Sequence, residues 1–178
     1  MKKIKVVFAA IMVFVLAMAI TGCDSTNSEP FDADSFISDV AAAQSAIMDN
    51  AKNVASLANY EGNYWKAMSN VGGQIDHQRM TDAAFEWLQE KGGASKSDIE
   101  DAHSDICSSY KSIVAANVEG GLSEEIYSEY KNLYSAYDGL YRLATSPSGS
   151  RDSFVSEYND YVTELNSSDS KLTTLVSD

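Results

Sequence analysis

The sequence predicts an all-α fold: an antiparallel four-helix bundle with one additional short helix. Three observations carry this reading. Apolar residues recur at spacings of three and four through most of the chain, the period of one helical face. Only two prolines occur among 178 residues, so little interrupts a helix from within. Runs of alternating apolar and polar residues bounded by turns, the mark of half-buried strands, are absent. The length suits one domain, able to bury an ordinary core without disulfides or a structural metal. An apolar fraction of 44% and a charged fraction of 22% belong to a globular chain rather than a disordered one.

Residues 1–22 read as an export signal and stand outside the fold. Lys2, Lys3 and Lys5 form its positive start, and Val6 to Ile20 is an uncharged apolar run of 15 residues. A membrane-spanning helix needs about 20. Thr21 and Gly22 then precede Cys23. This Ile20-Thr21-Gly22-Cys23 ending resembles the lipobox of bacterial lipoproteins. The resemblance implies diacylglyceryl transfer to the Cys23 sulfur, cleavage before Cys23, and acylation (typically palmitate) of the new N-terminus. It places the protein on the extracytoplasmic face of the cell membrane, anchored through lipid on Cys23. Asp24 resembles an inner-membrane retention signal of enteric Gram-negative bacteria, a meaning it would lack in a Gram-positive cell. Residues 23–33 are rich in Ser, Thr, Asn, Asp and Glu, and read as a flexible tether.

The helical domain is expected over residues 34–178. Asp34 or Ser35 can cap its first helix, in which Phe36, Val40, Ala43, Ile47, Ala51, Val54 and Ala58 form one apolar stripe. The stripe extends past Gly62 to Trp65 and Met68, with an end expected near Asn70 and a possible kink at the glycine. A short helix is expected over 81–91, burying Phe85, Trp87 and Leu88 and ending at Gly92-Gly93. Ser97, with Glu100 at the third helical position, predicts a capping box for the next helix, whose stripe is Ile99, Ala102, Ile106, Tyr110 and Ile113. Gly120-Gly121 stops it. Ser123 caps the following helix, with Glu124 and Glu125 at its positive end; Ile126, Tyr130, Leu133, Tyr137 and Leu140 face inward. After the turn at Ser146 to Ser150, the last helix repeats Phe154, Tyr158, Tyr161, Leu165, Ser168, Leu172 and Leu175 at alternating spacings of four and three.

The whole chain has 13 basic and 26 acidic residues, a net charge of −13. Removing residues 1–22 takes away three basic residues and no acidic one, leaving −16. That balance excludes nucleic acid as a partner, because such binding rests on Lys and Arg neutralising phosphates. Cys107 is then alone in the domain, so no internal disulfide can form, and a buried thiol is the simplest reading. Glu100 and His103 lie three apart on one helical face, with Cys107 four further on. Together they offer oxygen, nitrogen and sulfur to an ion, and they centre the alternative reading, a metal-dependent enzyme. The Glu-x-x-His spacing of di-iron bundles needs a second copy and two more glutamates, and His77 is preceded at that spacing by Gln74. No metal and no cofactor is therefore expected. Asp76-His77 lacks a Gly-x-Ser-x-Gly elbow elsewhere in the chain, and the glycine pairs lack the Gly-Lys-Ser/Thr of a phosphate loop.

Ten tyrosines occur, and Tyr127, Tyr130, Tyr134, Tyr137 and Tyr141 share one helix at spacings of three and four. Tyr130 and Tyr137 lie among leucines and are expected in the core. Tyr127, Tyr134 and Tyr141 lie toward a flank, where a flat ring with a polar tip suits contact with a partner. Asn63 to Met68, the tyrosine-rich helix, and Ala144 to Ser150 with Phe154 resemble a loose group of small helical proteins from Firmicutes and relatives. That group has no assigned activity, so the resemblance implies a helical fold and a Gram-positive source and brings no catalytic residues. The expected function is a non-enzymatic interaction or ligand-binding module, its partner an envelope protein or a small ligand.

Overall fold

Among the described residues, 33–117 and 122–177 of a computed structural model, the chain forms five α-helices and no strand. The export segment, Cys23, nearly all of the tether and the Gly120-Gly121 stop lie outside the described residues. The first helix, α1 (Ala33–Asn70), begins one residue inside the expected tether and continues unbroken through Gly62. Its predicted stripe is buried at every position from Phe36 to Ala58 and again at Trp65, with Leu57 joining it, while Met68 is half-buried. This is the central element: it packs against each of the other four helices. Three polar side chains, Gln44, Asn50 and Glu61, are buried along it.

The second helix, α2 (His77–Glu90), starts four residues before the expected Thr81 because Asp76 caps it, accepting from the Arg79 amide. An aspartate at an N-cap satisfies one of the amides that a helix start leaves unpaired. Gly92, at φ +78°, takes the left-handed conformation that ends α2. The third helix, α3 (Lys96–Ala116), corrects the expected cap: Ser95 and Asp98 form the capping box, two residues before Ser97 and Glu100. Ser123 caps α4 (Glu124–Thr145) as expected, accepting from the Ile126 amide. Ser150 likewise accepts from Ser153 at the start of α5 (Arg151–Ser177).

Two kinds of helix contact follow from side-chain size. Helices α4 and α5 have the most extensive contact, and Gly139 of α4 meets the Tyr161 ring so closely that a Cβ has no room. Helices α3 and α4 meet through whole rings instead. Tyr110 stacks on Tyr134 with centroids 3.7 Å apart and planes 6° from parallel. Two turns along each helix, His103 stacks on Tyr141 at 3.6 Å and 4°. Interaxial distance is set by the side chains at the contact, so these rings line a seam that stays partly open to water.

Candidate functional site

The α3–α4 seam gathers the chemistry-bearing side chains. His103 and Cys107 lie one turn apart on α3, which puts them on the same face, and the Cys107 sulfur is 3.5 Å from His103 Nε2. Asp138 of α4 reaches the same nitrogen, its Oδ1 at 3.9 Å. Ligand-type atoms of all three residues lie within 4.8 Å of one another, and they are the only such group of three among the described residues. All three are partly exposed; the His103 and Asp138 side chains keep 18% and 19% of their surface.

Neighbours fix each of these groups. His103 Nδ1 is 3.2 Å from the Tyr137 hydroxyl. That oxygen also accepts from Asn50 Nδ2 of α1 at 2.8 Å, and the same amide donates to the Ile99 carbonyl. The Tyr134 hydroxyl donates to Cys107 Sγ at 3.3 Å. Arg142, one turn after Asp138, holds its other oxygen at 2.7 Å. Burial lowers the His103 pKa, with Asp138 opposing and Arg142 reinforcing that shift, so the imidazole is neutral at neutral pH. Burial also raises the Tyr134 and Tyr141 pKa values. The Cys107 hydrogen bond adds to the first, and the nearby Glu100, Cys107 and Asp138 to the second.

Glu100 does not join the convergence. It is exposed, and its carboxylate lies 4.0 Å from Lys96 Nζ. The carboxylate that converges comes from α4, a residue that sequence reasoning passed over. A signal for it existed: Asp138 falls on the flank already marked by Tyr134 and Tyr141, at spacings of four and three. Cys107, expected to be buried, is half-buried. All three flank tyrosines are half-buried; Tyr134 and Tyr141 give a ring face to α3, while Tyr127 carries Lys131 Nζ 4.2 Å above its ring. Tyr130 and Tyr137 are fully buried, as expected.

A second polar cluster sits between α1 and α2. Glu61 is fully buried, and its Oε1 accepts from the Thr81 hydroxyl at 2.8 Å. Its Oε2 and the buried Nδ1 of His77 have no hydrogen-bond partner among the described residues. Burial pushes the Glu61 pKa up to about 8, against the pull of Thr81. The His77 ring stands edge-on to Trp65, and Asp76 is occupied in capping α2, so the Asp76-His77 pair forms no relay toward a serine.

No protein-family model, curated protein or solved structure matches the chain.

Proposed function

We propose that the chain is a lipid-anchored protein of the extracytoplasmic membrane face, its helical domain serving as a non-enzymatic interaction or ligand-binding module. One observation carries the proposal: three early lysines, a 15-residue apolar run, and Thr21-Gly22-Cys23 follow one another in the order an acylated export signal requires. Two or more acyl chains hold a protein stably where a single chain does not. Among the described residues no helix is long and apolar enough to cross a membrane, so this reading assigns attachment to the N-terminal segment.

The domain is read as an antiparallel bundle of α1, α3, α4 and α5, with α2 as the additional short helix. Contacts between opposite helix ends support that arrangement. Gln44 near the start of α1 donates to Asp169 and Thr173 near the end of α5. Trp65 near the end of α1 meets Phe154 near the start of α5. Glu129 early in α4 pairs with Lys171 late in α5. Within the interaction reading, Tyr127 is a better contact residue than Tyr134 or Tyr141, whose ring faces α3 already covers. The alternative, an enzyme centred on Glu100, His103 and Cys107, is weakened by the position of Glu100.

The test is metabolic labelling with an alkyne palmitate, followed by membrane fractionation. The unaltered chain is expected in the membrane fraction with label and without its export segment; Cys23→Ser is expected unlabelled, with the export segment uncut. A Cys23→Ser chain that matures and fractionates like the unaltered one overturns the proposal.

A further inference from the structure

We propose that His103, Cys107 and Asp138 form a binding site for a zinc-class divalent transition-metal ion, with three protein ligands and a fourth position open to solvent. Imidazole nitrogen, thiolate sulfur and carboxylate oxygen are the donors such an ion takes. Magnesium and calcium favour all-oxygen shells. Tetrahedral zinc with ordinary bond lengths separates nitrogen from sulfur by about 3.6 Å and nitrogen from oxygen by about 3.4 Å. The seam has 3.5 Å from His103 Nε2 to the Cys107 sulfur and 3.9 Å to Asp138 Oδ1. The three ligand atoms lie within 4.8 Å of one another, against about 3.6 Å between sulfur and oxygen on tetrahedral zinc, so seating an ion asks Asp138 to move in by roughly half an ångström toward the nitrogen and by up to about 1 Å toward the sulfur.

Hydrogen bonding alone accounts poorly for this convergence. One imidazole nitrogen carries either a proton or a lone pair, so it serves one neighbour at a time. Here both Cys107 and Asp138 approach Nε2, and the carboxylate stands beyond hydrogen-bond length. A cation placed among them satisfies all three groups together. Metal-binding side chains are also commonly oriented by partners that do not touch the ion. Tyr137 holds the far nitrogen of His103, Tyr141 covers its face, Tyr134 holds the sulfur and Arg142 the second oxygen of Asp138. A deprotonated thiol and a carboxylate neutralise a divalent ion. The Arg142 guanidinium opposes the ion, but its side chain is 77% exposed, where water and salt screen it.

The site lies wholly in the helical domain, and its assignment is independent of lipid on Cys23. The experiment titrates the reduced, chelator-stripped full chain in detergent with Co2+ and then Zn2+, in a Cys23→Ser background that leaves Cys107 as the only thiol. The expected result is one equivalent of Co2+ giving a thiolate charge-transfer band and the visible bands of a tetrahedral ion, both abolished by one equivalent of Zn2+. Cys107→Ser loses the charge-transfer band. Asp138→Asn weakens Zn2+ about tenfold or more in chelator competition, with helicity unchanged by circular dichroism. Glu100→Gln binds like the parent. The proposal is overturned by a folded parent that gives no thiolate–cobalt band, by parental affinity in both Cys107→Ser and Asp138→Asn, or by a Glu100→Gln variant that loses the ion.

Discussion

At the α3–α4 seam, His103, Cys107 and Asp138 each have polar partners and an edge open to water, whereas Glu61, between α1 and α2, is sealed with one oxygen unpartnered. The two clusters are built from similar residue types and differ in what surrounds them. The seam is spaced by stacked rings, which keep α3 and α4 apart and admit solvent. The α1–α2 contact is closed, so a carboxyl there can stay neutral more easily than it can ionise. An open cluster of well-oriented groups is equipped to take a ligand. A closed, under-satisfied one acts mainly on stability and its dependence on pH.

The largest expected effect tests the closed cluster. The unfolded chain ionises Glu61 near pH 4.5, while the folded chain holds the proton until about pH 8. Below about 4.5 both states are protonated and the group makes no difference. Between the two values the unfolded state gives up the proton first, so stability falls as pH rises and levels off above about 8. The loss is on the order of 3–5 kcal/mol across that window. Glu61→Gln removes the ionisation. Urea unfolding at pH 5 and pH 8 should show the difference between variant and parent growing in the variant's favour by that amount. A constant difference at the two pH values means that Glu61 ionises freely and the cluster is not sealed.

A smaller effect separates partnered from unpartnered hydroxyls on α4 itself. Tyr130 and Tyr137 are both fully buried. The Tyr137 oxygen accepts from Asn50 and faces His103, while the Tyr130 hydroxyl has no partner among the described residues. Tyr137→Phe leaves the buried Asn50 amide short of an acceptor and should cost about 1–3 kcal/mol in urea unfolding. Tyr130→Phe removes a hydroxyl that was buried without return and should be neutral or stabilising by up to about 1 kcal/mol. Equal costs for the two changes would mean that the Tyr130 hydroxyl is paired as well.

Much of the helical fold was legible because a helix writes its buried face into the spacing of its own residues. The α1 stripe from Phe36 to Ala58 and the burial of Tyr130 and Tyr137 could be read that way. The site was legible only in part. His103 and Cys107 are neighbours on one helix, so their spacing reveals them. Asp138 belongs to another helix, and its approach depends on how α3 and α4 are rotated about their axes, which neither periodicity states. Glu100 has the correct spacing, yet its carboxylate lies toward Lys96, outside the seam. The burial of Glu61 was hidden for a related reason. A charged residue beside Gly62 reads as surface until α2 is known to close over it.

The smallest effect concerns the register of α3, on which the seam depends. Ser95 and Ser97 precede the same apolar stripe, and each has an acid three residues on: Asp98 for Ser95 and Glu100 for Ser97. Both pairs fit the capping-box pattern. The backbone chooses between them: Ser95 accepts from the Asp98 amide at 3.2 Å, and the Asp98 carboxylate accepts from the Ser95 amide at 3.1 Å. Ser97 lies inside the helix and turns its hydroxyl toward Asp101. Ser95→Ala should therefore cost about 1 kcal/mol in urea unfolding, while Ser97→Ala, an exposed change to a better helix former, should stay within about 0.5 kcal/mol of the parent. The reverse order would start α3 two residues later. It would also leave Asp98 without its capping role and hand that role to Glu100.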